Sequence, residues 1–160
     1  MAITKLVADS LGTGVGGKVL QVVQSSTTTQ VVNTTSTYSD TTLTASITPS
    51  SSSNKILILI CQSIQWYSTS AGGSAKWQLL RDATVIYEPT PTAETLFSYD
   101  YGGSGLNLYF NNPLDYLDTP STTSSVTYKT RIAIGAYGGN QANAQYNNNK
   151  SFITLMEIAG

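Results

Sequence analysis

Lys55-Ile56-Leu57-Ile58-Leu59-Ile60-Cys61-Gln62-Ser63-Ile64 is the stretch that decides the fold. Its apolar run, Ile56 to Cys61, has the length of a strand and is too short to span a membrane as a helix. Apolar residues occupy both parities, so both faces of the strand are expected to be covered. The same holds for Phe152 to Ile158, where Phe152, Met156 and Ile158 share one face and Ile153 and Leu155 the other. In a two-layer sandwich the outward face of a strand normally meets water, so a second apolar face predicts a cover from a neighbouring subunit or from the N-terminal arm. Ile56, Ile58, Phe152, Ile153, Leu155 and Met156 are therefore the candidates for core or subunit-facing positions.

Outward from this stretch the chain continues as one short strand after another, with no convincing helix. Leu43, Ala45 and Ile47 alternate with Thr42, Thr44, Ser46 and Thr48, and Leu106, Leu108 and Phe110 alternate with Asn107, Tyr109 and Asn111. Each pattern predicts a strand with one wet face. Turn residues separate the runs: Ser50 to Asn54 after Pro49, Ala71-Gly72-Gly73-Ser74, and Arg81-Asp82-Ala83-Thr84, where glycine would be the better second residue of a tight hairpin. Two longer segments, Glu88 to Glu94 and the Gly/Asn/Gln/Ala-rich Gly138 to Asn149, read as exposed tips. Residues 18–160 thus form the body. Residues 1–17 form an extended arm with spaced Ile3, Leu6, Val7 and Leu11, closed by a glycine-dense hinge.

Composition narrows the function. The 160 residues carry 11% charged side chains and a formal net charge of −1, against about 25% charged in typical soluble domains. Serine, threonine, asparagine and glutamine fill the gap. Such a surface packs against copies of itself without desolvating many ions, so self-association costs little. Scattered single basic residues give no footprint for nucleic acid or an anionic membrane, and neither partner is expected. Residues 1–17 show no secretory-signal pattern.

The chemistry is mostly missing. With no histidine in the chain, the usual general base and commonest metal ligand are lost, and no enzymatic activity, cofactor or metal is expected. The single cysteine, Cys61, ends an apolar run without a basic neighbour and reads as a buried thiol. Gly12, Gly14 and Gly17 match a dinucleotide-loop spacing, but a strand follows them where a helix is needed, so they read as the hinge. Asp115 and Asp118, with Glu94 and Asp100 upstream, could make a carboxylate pair or calcium site only if folding joined them. Flanked by Pro113 and Pro120, they read as turn aspartates. The consensus sites at Asn33 and Asn149 read as chance glycosylation matches.

Ten tyrosines against three phenylalanines favour rings with a polar tip, suited to subunit contacts and to stacking on sugars. Trp66, Tyr67, Tyr99, Tyr101 and Tyr137, beside loop segments, are the candidates for a receptor or glycan surface.

Gly16-Gly17-Lys18-Val19-Leu20-Gln21-Val22-Val23-Gln24, Ile47-Thr48-Pro49 running into Asn54-Lys55-Ile56-Leu57, Leu79-Leu80-Arg81-Asp82, Tyr116-Leu117-Asp118-Thr119-Pro120 with Val126-Thr127-Tyr128-Lys129, and the closing Ile153 to Ile158 resemble a family of small virion structural proteins of tailed phages, especially aquatic and cyanobacterial ones. The resemblance covers nearly the whole body. It implies an all-β, antiparallel jelly-roll β-sandwich similar to the tumour-necrosis-factor and C1q heads. It also implies a homotrimer on the virion surface, assembled in the bacterial host cytoplasm, acting as a capsid decoration (cement) protein or as a fibre or spike knob. With fewer than about twenty residues outside the body, at extended-chain reach, the cement role is expected over the fibre. The arm, through Ile3, Leu6, Val7 and Leu11, would then dock on the major capsid protein or another virion protein. The alternatives are a knob that binds a host receptor or glycan and, more remotely, a polysaccharide depolymerase.

Overall fold

The computed structural model describes residues 17–69, 73–89, 97–99, 105–135 and 140–160, with 97–99 by backbone alone. Its strands are β1 (Val19–Thr27), β2 (Val31–Asn33), β3 (Ser39–Ile47), β4 (Lys55–Ser68), β5 (Gly73–Arg81), β6 (Thr84–Tyr87), β7 (Phe97–Tyr99), β8 (Leu106–Asp118), β9 (Val126–Ile134), β10 (Gln141–Ala144) and β11 (Ser151–Ile158). No α-helix occurs among the described residues, and no helix is long and apolar enough to cross a membrane.

Two antiparallel sheets form a sandwich. One runs β1-β11-β4-β8, with β10 and β2 extending it beside the far half of β4; the other runs β3-β9-β5-β6, with β7 also on β5. Setting aside the short β2, β7 and β10, successive strands alternate between the layers except at the β5–β6 hairpin, which stays in one sheet, the wrapping order of a jelly roll. We call the layers sheet A (with β4) and sheet B (with β9).

The core lies where the predicted alternation puts it. Ile56, Ile58, Ile60, Ile64 and Trp66 from β4 and Ile153 and Leu155 from β11 are buried in one layer, against Leu43, Ala45 and Ile47 of β3, Trp77 and Leu79 of β5 and Tyr128 and Ile132 of β9 in the other. Each fully buried large side chain contributes about 1.5–3 kcal/mol. Gln62 is buried among them because both ends of its amide are used. Its Oε1 accepts from Trp77 Nε1 (2.7 Å) and its Nε2 donates to Thr41 Oγ1 (3.2 Å).

Polar clasps tie the layers at the corners. Asp118 of sheet A accepts from Arg81 Nη1 (2.9 Å) and Tyr128 Oη (2.7 Å) of sheet B. Burial, and then the hydrogen bond to Asp118, raise the Tyr128 pKa above its ordinary value. Glu157 accepts from Ser50 N (2.6 Å), Ser50 Oγ (2.7 Å), Asn54 Nδ2 (2.5 Å) and Gln21 Nε2 (2.6 Å), locking the β3–β4 turn to β1 and β11.

Several expectations are corrected. Cys61 is exposed, because its odd position in β4 turns it outward with Leu57 and Leu59 while the even positions fill the core. Segment 113–118 is not a turn: β8 runs straight through Pro113 and pairs only with β4, so the missing N–H of an edge-strand proline is tolerated. Gly138 to Asn149 is not simply an exposed tip. Within it β10 pairs with β2 and β4 and buries Ala142 and Ala144. At the Arg81–Thr84 hairpin, Asp82 takes the left-handed conformation (φ 53°) and Ala83 does not. The Asp82 side chain is held by Thr127 N at 2.9 Å, so no glycine is needed.

Candidate functional site

The two sheets present very different outer faces. On sheet B the outward positions of β3 and β9 include Thr44, Ser46, Thr127, Lys129 and Arg131, and Asp40 binds Lys129 (2.7 Å) and Arg131 (2.5 Å). Burial would raise the Asp40 pKa, but these two cations outweigh it and lower it. This β3–β9 part of the face is solvated, whereas Ser74, Gln78 and Leu80, at the outward positions of β5 beside it, are buried.

Sheet A is apolar outside as well as inside. Register places Val22 beside Met156, Met156 beside Leu57, and Leu57 beside Leu117, a row of four apolar side chains across β1, β11, β4 and β8. Their parity is outward: the flanking Ile56, Ile58 and Leu155 are buried, whereas Val22 is 55% and Leu117 51% exposed and Met156 and Leu57 are half-buried. A parallel row carries Ser26, Phe152, Cys61 and Pro113, with Phe152 37% exposed. Between them lies Gln24, Thr154, Leu59 and Asp115, whose carboxylate is the one charge in the three rows. Lys150 Nζ sits 5.6 Å from the Phe152 ring centre.

At the other end of the same face the pattern becomes polar and aromatic. Gln65 lies between Asn143 and Tyr109 in the register, and Tyr109 (59% exposed) meets Tyr146 at 5.4 Å between ring centres, tilted by 48°. Gln65 Nε2 donates to Asn107 Oδ1 at 2.6 Å and Gln65 Oε1 accepts from Asn143 Nδ2.

The candidates named from sequence separate accordingly. Ile56, Ile58, Ile153 and Leu155 are core, while Phe152 and Met156 lie on the outward face. Trp66 cannot face a ligand: its even position in β4 buries it completely, a correction to its place among the glycan candidates. Tyr67 is half-buried and outward, opposite Asn107 and Gln141. Tyr99 belongs to β7, where only the backbone is described. Tyr101, Tyr137 and the arm residues Ile3, Leu6, Val7 and Leu11 lie outside the described residues, as do Glu94 and Asp100. Asp115 and Asp118 fall on opposite faces of β8, and Asp118 is committed to Arg81 and Tyr128, so they form no carboxylate pair. Among the described residues no three metal-ligating side chains gather. Asn33 is buried, donating to Thr37 O, Ser39 Oγ and Ile132 O, so it is not open to a glycan. Tyr109, Leu117 and Val22 were not singled out by sequence, although the alternation along β1 and β8 would have placed them outward.

A cleft of about 190 Å³ lies between the sheet edges, lined by Trp77, Tyr87, Pro89, Asn112, Pro113 and Leu114. It is smaller than the usual ligand pocket of about 300–1,000 Å³.

No family model and no curated protein matches the chain. Among solved structures it is similar to infectious bursal disease virus Gt strain (12% identity, 89% of this chain, 39% of that chain, TM-score 0.41). It is also similar to the Gx strain of that virus (12%, 88%, 39%, TM-score 0.37) and to dimeric latent PorU from Porphyromonas gingivalis (13%, 90%, 14%, TM-score 0.34). The chain spans at most 39% of the length of these structures. At these TM-scores no functional conclusion is drawn from them, and the jelly-roll assignment stands on strand order.

Proposed function

We propose that the chain is a virion structural protein, a capsid decoration subunit of a tailed phage that assembles as a homotrimer through the outer face of sheet A. The observation that carries the assembly is the row Val22–Met156–Leu57–Leu117. Four apolar side chains in cross-strand register, only partly covered by the described residues, match the desolvated centre of a subunit contact and not a solvated surface. The sequence resemblance supports the virion role and the three-fold symmetry, and the low charge supports close packing on a shell.

The arm supplies attachment in this reading. The described body begins at Gly17, where a Cβ would lie 2.3 Å from Ile158 Cγ2, at the β1–β11 edge of sheet A. Ile3, Leu6, Val7 and Leu11 dock on the major capsid protein, adding buried area across capsomer joints. Deleting residues 2–16 is expected to leave the oligomer intact and to abolish co-sedimentation with empty capsids; a truncated protein that still decorates capsids would contradict arm docking.

A further inference from the structure

We propose that the Tyr109–Tyr146 pair and the amides around it form a binding site for a neutral carbohydrate. This goes beyond the assembly reading and does not depend on it. The site lies eight residues along β4 from the apolar row, about 26 Å at about 3.3 Å per residue, so both surfaces can be used at once.

The two rings are the first element. They meet at 5.4 Å with a 48° tilt, and Tyr109 keeps 59% of its surface exposed although it sits mid-strand. Exposed phenol rings offer a flat apolar face to the C–H side of a pyranose and a hydroxyl to its rim.

The second element is the amide set. Asn107 and Asn111 flank Tyr109 on the outward face of β8, and Asn147 and Asn148 flank Tyr146. A primary amide carries two donors and an acceptor, which suits neighbouring sugar hydroxyls. Gln65 fixes Asn107 from beneath. Asn143 is 1% exposed, gives its Nδ2 to Gln65, and its Oδ1 meets no donor among the described residues. A buried acceptor without a donor is uncommon and is satisfied when a ligand or water supplies one.

The third element is rigidity. Gln145, Asn147 and Asn148 have φ of 54°, 54° and 59°, a left-handed conformation that asparagine tolerates and glutamine resists. The turn is held by Gln145 N to Ser63 O (2.9 Å), Gln145 Nε2 to Ser151 Oγ (3.0 Å) and Asn147 N to Gln30 Oε1 (3.1 Å). Backbone held in this way is a recurrent feature of ligand clamps. None of the groups named is charged at neutral pH, which selects a neutral sugar over an acidic one.

Saturation-transfer NMR of the full chain tests this, with the methyl glycosides of glucose, galactose, mannose and N-acetylglucosamine and their linear trisaccharides as probes. Irradiating the aromatic protons is expected to saturate the ring C–H protons of at least one probe, and amide shifts are expected at 107–111 and 143–148. Tyr109→Ala and Tyr146→Ala should each weaken binding about tenfold, whereas Tyr109→Phe should retain most of it, with sedimentation unchanged throughout. Absence of transfer to every probe, or Ala variants that bind as tightly as the parent, overturns the proposal. So does a fall in oligomer mass in Tyr109→Ala, which would assign the pair to a subunit contact.

Discussion

Glu157 is the residue whose role can be tested most simply. Burial would raise its pKa, but hydrogen bonds from Asn54, Gln21 and Ser50 outweigh this and hold the carboxyl at about 2, below the ordinary glutamate value of 4.5. Because the folded value is the lower one, the stabilisation is complete above about 4.5 and is lost as pH falls toward about 2. Chemical denaturation is therefore expected to show stability declining across that window, and Glu157→Gln should flatten the decline while costing roughly 2 kcal/mol at neutral pH. An unchanged acid profile in the variant would show that Glu157 is not the group responsible. Asp40 is also lowered, but it is an exposed partner of Lys129 and Arg131 and contributes little. Cys61 offers a second residue-level test. Exposed between Phe152 and Pro113, it should react readily with a maleimide in a monomeric variant and slowly in the parent if sheet A is covered by another subunit.

At the scale of elements, the first half of β4 and its neighbours divide by parity into a buried face and an outward one. Ile58→Ala removes a fully buried side chain and should cost about 2–5 kcal/mol of stability in any oligomeric state. Leu117→Asp alters a half-exposed edge-strand position and should change the stability of the isolated fold by about 0.5 kcal/mol or less while dispersing the oligomer. Equal destabilisation by both would remove the distinction between core and contact. Much of this was legible in the sequence. The double apolar parity of Lys55 to Ile64 and of Phe152 to Ile158 already separates Ile58 and Leu155 from Leu57 and Met156. What misled was composition. Gly138 to Gln145 lacks β-branched and aromatic residues, yet β10 forms because alanines fit the crowded inner face beside Trp66 and Ile64, and neighbouring strands supply its hydrogen bonds. Trp66 looked loop-proximal because β4 is 14 residues long and outruns its apolar start. Tyr109 and Tyr146 are 37 residues apart in sequence, and their meeting depends on β8 and the 146–148 turn flanking β4 on opposite sides.

For the whole molecule, the two outer faces set the orientation of the account. The ion-paired β3–β9 part of sheet B faces water, and the apolar row of sheet A is the surface that the proposed assembly covers. In the proposed assembly the low charge lets copies sit close together, and a chain with one cysteine holds this body without an internal disulfide. Sedimentation velocity of the full chain at micromolar concentration, beside Leu57→Asp and Leu117→Asp, tests this most directly. The account predicts a parent species of about three times the 17.0 kDa chain mass and folded monomers for both variants. A parent that sediments as a monomer, with Val22, Met156, Leu57 and Leu117 open to solvent, would contradict it.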